Sequence, residues 1–532
     1  MPRPPMTPRE LSPLPEDAQR LRARVLPAIT ALREGVAVAS EIADDELLAN
    51  FLDTVVPPGG VGIDAYAEFL TQVVPHCINN GSPRCWAHMA GTPPRVLATL
   101  AEIVVLLNQN MVKRDASRAF SLLERQTLAI LHRLVFGRDD RFYETALREH
   151  RESLGLMSSG GSLANLGGLW CARNAALPAG RGFAGVEHAG LAAGLLHHGL
   201  ERAVVLASEL AHYSVPKSAA MLGLGTSGFM PLAVDRQGRV VLAALERELR
   251  RCRERAWKVI AVVAVAGTTS CGSFDPIDDM ASVAEAHGAW LHVDAAWGAS
   301  SLFHPALRQR AHGIARAHTV ALDAHKQLNV PVGAGMLLLR DPDHARLIEK
   351  TADYALQEDT GDLGKVSVEG SRPASALMVH AALQLMGLEG FARLAERSED
   401  NARRLAERIR RDPAFELLLP AQTGIVLYRY LPESLRGRSR LSSAQRQRVD
   451  RLNRMLQDAQ LRRGRSRVAW THIPPSMTAC GERTLALRAV VANPAIGEAD
   501  FDAVLREQRE LGDALDAACA AGESMPFVEA ST

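Results

Sequence analysis

Between about residue 150 and residue 340 the chain alternates short apolar runs with turns and helical stretches, and no other feature narrows its possible folds as much. The runs are 203–207, 259–266, 290–294, 319–323 and 335–339. Apolar runs this short, bounded by turns, read as strands buried on both faces. Strands that alternate with helices predict a mostly parallel sheet covered on both sides, an α/β fold. The most apolar run, 259–266, is eight residues long, which suits a buried strand and is far too short to span a bilayer.

At 532 residues the chain exceeds what a single core organises, so a large domain and a smaller one are expected. The divisions read as an N-terminal helical, interface-forming segment at 1–115, a large domain at 116–380 and a small α+β domain at 381–532. Residues 41–75 read as helical around Leu47, Leu48, Phe51 and Leu52, interrupted at Pro57-Pro58-Gly59-Gly60. In the small domain, strands are expected at 423–430 and 485–491. The Arg-rich stretch 436–467 reads as a solvated helix and loop. A net charge of +1 argues against a general polyanion binder, so no nucleic-acid partner is expected. The proline-rich start lacks the apolar core of a secretory signal, and the seven cysteines form neither a CxxC pair nor a metal-ligand spacing. Free thiols in the cytoplasm, no metal and no membrane association are the expectation.

In open α/β sheets, ligands bind beyond the carboxyl ends of the strands. Four such ends carry polar residues. The first is Ser158-Ser159-Gly160-Gly161-Ser162, which leads into a helix whose N–H groups and dipole suit a phosphate. His212 follows the run ending at residue 207. Asp294 closes the run 290–294, where a buried carboxylate needs a cationic partner such as a protonated pyridine nitrogen. The fourth end is Asp323-Ala324-His325-Lys326. A lysine at a buried strand end is costly unless used, because burial disfavours the ammonium, and the neutral amine condenses readily with an aldehyde. Phosphate cradle, stacking ring, acid and amine together form the set that pyridoxal phosphate demands.

Several separated motifs then occur in one order: Ser82-Pro83-Arg84, Asn108-Gln109-Asn110, SGGSLAN (159–165), HYS (212–214), AGTTSCGSFDP (266–276), HVDAAWG (292–298), His325-Lys326, Leu487-Arg488 and Asn493-Pro494. From about residue 70 to about 500 the chain resembles the group II pyridoxal-phosphate-dependent amino-acid decarboxylases, of the type I aminotransferase fold. Its segments 108–120, 323–336 and 369–373 are most similar to the bacterial aspartate-decarboxylating branch.

The resemblance implies that Lys326 holds the cofactor covalently, Asp294 pairs with its ring nitrogen and His212 stacks on the ring. It implies that Gly161, Ser162 and His325 hold the phosphate and that Thr268 also contacts the cofactor. Tyr354 corresponds to a proton donor to Cα, Arg372 to a receiver of the α-carboxylate, and His88 and Asn108 to substrate-side residues. It also implies a homodimer with the site at the subunit interface. The chain departs from the common pattern with Asp323-Ala324 where Asn-Pro precedes His-Lys, and with Val265 where a threonine is frequent. The expected reaction is decarboxylation of L-aspartate to β-alanine. A basic set (Arg84, Lys113, Arg114, Arg118 and Lys217) is expected near the site. The alternatives are glutamate, cysteine sulfinate, diaminobutyrate or an aromatic amino acid as substrate. A pyridoxal-phosphate lyase or aminotransferase, or a non-catalytic protein of the same fold, is the reading from another class.

Overall fold

A computed structural model describes residues 15–149, 152–352, 356, 360–438 and 440–521. After N-terminal helices Pro15–Glu34 and Gly62–Val73 comes a two-residue strand, β1 (Cys85–Trp86). The helices Val96–Leu107 and Ala119–Phe136 then lead into the main sheet. Its strands are β2 (Gly155–Ser158), β3 (Arg202–Ser208), β4 (Phe229–Leu232), β5 (Trp257–Val265), β6 (Trp290–Asp294), β7 (Thr319–Asp323) and β8 (Gly335–Leu339). They lie in the order β2-β8-β7-β6-β5-β3-β4. All neighbours are parallel except those of β8, which runs antiparallel to both β2 and β7.

The expected α/β class and mostly parallel sheet are therefore found. The residue alternation of each strand feeds two cores, one on each face of the sheet. Val204, Leu206, Val262, Leu291, Val293, Val320 and Leu322 pack on one side, with Leu245, Ile277 and Val379 from three covering helices. Val205, Ala207, Val263, Ala321 and Leu337 pack on the other, under the helices Gly161–Ala176 and Ser214–Met221. On this second face β6 and β7 turn polar: Trp290, His292, Thr319 and Asp323 all point that way and are buried.

A second, five-stranded sheet is built from β9 (Phe415–Leu417), β10 (Ile425–Tyr430), β11 (Arg467–Ile473), β12 (Thr484–Val490) and β1, in the order β1-β11-β12-β10-β9. The N-terminal segment thus supplies an edge of the C-terminal sheet. The Arg-rich stretch forms the helix Ser443–Arg463, started by a capping box between Ser442 and Gln445. Its arginines face acids of neighbouring segments, Arg446 with Glu482 and Arg448 with Asp516. Among the described residues no helix is long and apolar enough to cross a membrane.

Candidate active site

Strands β5, β6 and β7 end side by side, and their last residues open into a cavity of about 350 Å³. Gly161, Ser162, His212, Asp294, His325 and Lys326 all line it, so the structure gathers residues from four separate strand ends. Asp294 is buried; its Oδ2 accepts from Asn165 Nδ2 at 2.9 Å and its Oδ1 from the Ala296 N–H at 3.1 Å. A carboxylate held this way is an acceptor with lone pairs to spare, which suits a protonated ring nitrogen. His212 accepts at Nδ1 from the Ser214 hydroxyl at 2.8 Å. Desolvation holds its imidazole below the usual range, partly offset by Asp294, so the ring facing the cavity is neutral at pH 7.

Lys326 Nζ lies 3.8 Å from Asp323 Oδ2, and the same oxygen accepts from the Gly161 N–H at 3.1 Å, at the start of the helix Gly161–Ala176. Asp323 Oδ1 and His325 Nδ1 are 2.7 Å apart but not aligned as a hydrogen bond, and both are buried without another hydrogen-bond partner in the described residues. The turn between β2 and that helix fits under β8 only because residue 335 is glycine: a Cβ there would come 2.3 Å from the Gly160 carbonyl carbon. Amine, acceptor carboxylate, neutral ring and helix start therefore meet around a space of cofactor size, and this set fits pyridoxal phosphate.

Other expected residues lie elsewhere. Arg372 does not line the cavity; it is buried against Glu124, its Nη1 donating to Oε2 at 2.7 Å and its Nη2 to Oε1 at 2.5 Å. Thr268 turns inward, its hydroxyl 2.9 Å from Ser273 Oγ and 3.1 Å from Cys271 Sγ, and it is the next residue, Thr269, that faces the cavity. Asn108 is exposed at the left-handed C-cap of the helix Val96–Leu107. His88 lines a narrow cleft that shares Lys326 and Trp297 with the main cavity, and partial burial followed by Arg467 and Arg488 holds its pKa down. Val265 takes a place on the cavity wall. Arg84 pairs with Asp500 at 3.3 Å. Tyr354 lies outside the described residues.

Sequence reasoning did not single out Asn165, His292 or Arg488 for roles in the site. The signal for His292 was its i, i+2 relation to Asp294, which puts both on one strand face. Arg488 stood in the Leu487-Arg488 motif of the resemblance but had no role attached to it. It is a half-buried guanidinium that donates to the Thr269 carbonyl at 2.6 Å and the Ala87 carbonyl at 3.0 Å, and desolvation lowers its pKa to about 10. No acid pairs with it among the described residues.

The sheet order and the four-part site define a pyridoxal-phosphate enzyme of the type I aminotransferase-like fold. Residues 64–431 match the family described as "Pyridoxal-dependent decarboxylase conserved domain", and the chain belongs to that family. It is similar to the aspartate 1-decarboxylase of Aliivibrio fischeri, with 35% identity over 90% of this chain and 88% of that one. It is also similar to the cysteine sulfinic acid decarboxylase of Mus musculus, with 29% identity over 91% and 94%. The crystal structure of mouse CSAD superposes with a TM-score of 0.82 at 28% identity, covering 94% of this chain and all of that one. The protein is accordingly a pyridoxal-phosphate-dependent amino-acid carboxy-lyase.

Proposed function

We propose that the chain decarboxylates L-aspartate to β-alanine and CO2. The observation that carries this reading is the likeness to an aspartate 1-decarboxylase, 35% identical over 90% of this chain. Arg488, a half-buried guanidinium beside the wall residue Thr269 and without an acid partner among the described residues, is the proposed receiver of the substrate's α-carboxylate, which a guanidinium grips in a two-pronged geometry.

In this proposal Lys326 holds the cofactor through Nζ, Asp294 accepts from its ring nitrogen, and His212 covers one ring face. Gly161, Ser162 and His325 hold the phosphate. Bound pyridoxal phosphate supplies the sink for the electron pair left when CO2 departs. Arg488 takes over the carboxylate role expected of Arg372, whose fork is already filled by Glu124. Tyr354 delivers the proton to Cα. Thr269 replaces Thr268 at the cavity wall, and His88 borders the substrate side.

We further propose a cytoplasmic homodimer, with 1–115 as interface segment, 116–380 as cofactor domain and 381–532 as small domain. The helix Val96–Leu107 supports this assembly: Glu102 is its one charged residue, and Val105 and Leu106 are each 74% exposed in the single chain. Asn108 caps that helix and, in this proposal, serves the partner's site.

The test is a CO2 release assay on purified protein with aspartate, glutamate, cysteine sulfinate, diaminobutyrate and tyrosine, with Lys326→Ala as the blank. Aspartate is expected to turn over fastest. Turnover of an aromatic amino acid with aspartate inert would refute the assignment.

A further inference from the structure

Behind Asp294, on the polar face of β6 and β7, runs a continuous chain of buried hydrogen bonds. Trp290 Nε1 donates to Thr319 Oγ1 at 3.0 Å. Thr319 Oγ1 is 2.9 Å from His292 Nδ1, and His292 Nε2 is 2.9 Å from Asn165 Oδ1. Asn165 Nδ2 donates both to Asp294 Oδ2 and to Ser214 Oγ, each at 2.9 Å, and Ser214 Oγ lies 2.8 Å from His212 Nδ1. His292, Thr319 and Asn165 are at most 1% exposed, so none is satisfied by bulk water.

The direction of the chain follows from its end at Asp294. A carboxylate only accepts, so Asn165 turns Nδ2 to it and Oδ1 to His292, whose Nε2 must donate and whose Nδ1 then accepts from the Thr319 hydroxyl. Burial lowers the His292 pKa to about 4, so the ring is neutral and carries its one proton on Nε2. That proton goes to Asn165 Oδ1, and Nδ2 faces Asp294 and Ser214. Ser214 then has its proton for His212 Nδ1, and His212 is left with its proton on Nε2. His212 Nδ1 also accepts from the Ser214 N–H at 3.3 Å, which agrees with that tautomer. The helix Gly161–Ala176 comes near enough to close the chain because a Cβ at Gly168 would sit 2.5 Å from the His292 ring.

We infer that Trp290, Thr319, His292 and Asn165 are positioning residues that hold Asp294 as a pure acceptor toward the cofactor and set the tautomer of His212. The inference rests on the proposed place of Asp294 at the ring nitrogen. With the Asn165 amide reversed, its carbonyl would face the carboxylate and repel it.

Two measurements test it. In the holoenzyme labelled with ¹⁵N-histidine, His292 and His212 are expected to show protonated Nε2 and unprotonated Nδ1, with His292 assigned through His292→Asn. A proton on His292 Nδ1 overturns the inference. Second, Thr319→Val removes the hydroxyl with little change of shape, and Thr319→Ser restores it. Loss of one buried hydrogen bond predicts pyridoxal phosphate binding to the cofactor-stripped protein about tenfold weaker in Thr319→Val, recovered in Thr319→Ser. Asp294→Ala is measured alongside. If it binds the cofactor like wild type, the reading of the site itself fails. If it binds weakly while Thr319→Val binds normally, only the positioning chain fails.

Discussion

Arg372 is buried and Arg488 half-buried, and their surroundings differ. Arg372 is gripped on both prongs by Glu124, at 5% and 0% side-chain exposure. Removing one partner of such a pair leaves an uncompensated charge and costs about 3–5 kcal/mol. Arg372→Met is therefore expected to lower the melting temperature, with KM moving little in the protein that remains folded. Arg488→Lys keeps the charge but loses the fork. It is expected to raise KM for aspartate about tenfold or more while the melting temperature stays near wild type. Steady-state kinetics and thermal melts on the two variants check this; an unchanged KM in Arg488→Lys would place the substrate carboxylate elsewhere. The pair also shows what a sequence discloses at this scale. Lys326, Asp294 and His212 were legible because each ends or follows an apolar run, and Gly161 and Ser162 because small residues there lead into a helix. The choice between Thr268 and Thr269, or between Arg372 and Arg488, depends on which way a turn faces and which acid lies across the core, and neither is written locally.

Strands β6, β7 and β8 were legible to the residue because each is a wholly buried run. β2 and β4 were not: each has four residues, and β4 carries Pro231, which a sheet tolerates at an edge such as this one. β11 starts just where the Arg-rich stretch ends, so composition masked it. Among the helices, Val96–Leu107 stands apart, since it exposes Val96, Ile103, Val105, Leu106 and Leu107 in the single chain. A soluble protein rarely leaves such a face bare. Leu106→Glu with Val105→Lys is expected to convert a dimer into monomers and to reduce turnover. Size-exclusion with light scattering reads the mass. Wild-type protein running at the mass of one chain would contradict the proposed assembly.

Across the whole molecule, buried ionisable groups set the response to acid. Burial, as the leading cause, lowers the pKa of His132, His292 and His318 to about 4 in each case. Unfolding lets these rings take up protons near pH 6.5, whereas the folded protein leaves them neutral. Their contribution to stability is thus lost as pH falls from about 6.5 toward 4. Burial raises Asp275 to about 7, and this acts in the opposite sense, since the unfolded carboxyl ionises first as pH rises. Three histidines outweigh one aspartate, so the melting temperature is expected to be lower at pH 5 than at pH 7.5; an equal or higher value at pH 5 would contradict the balance. A different consequence follows from the one reversed strand of the main sheet. β2, which carries the glycine turn, finds its partner only in β8, so residues 155–158 must wait for residues 335–338. On the ribosome the turn emerges early and remains without its neighbour while β3 to β7 are synthesised. Pairing across so long a stretch is slow, and an unpaired edge invites association with other chains. The pocket is thus among the last parts of the main sheet to close, and the cofactor can bind productively only to a chain whose synthesis has passed β8.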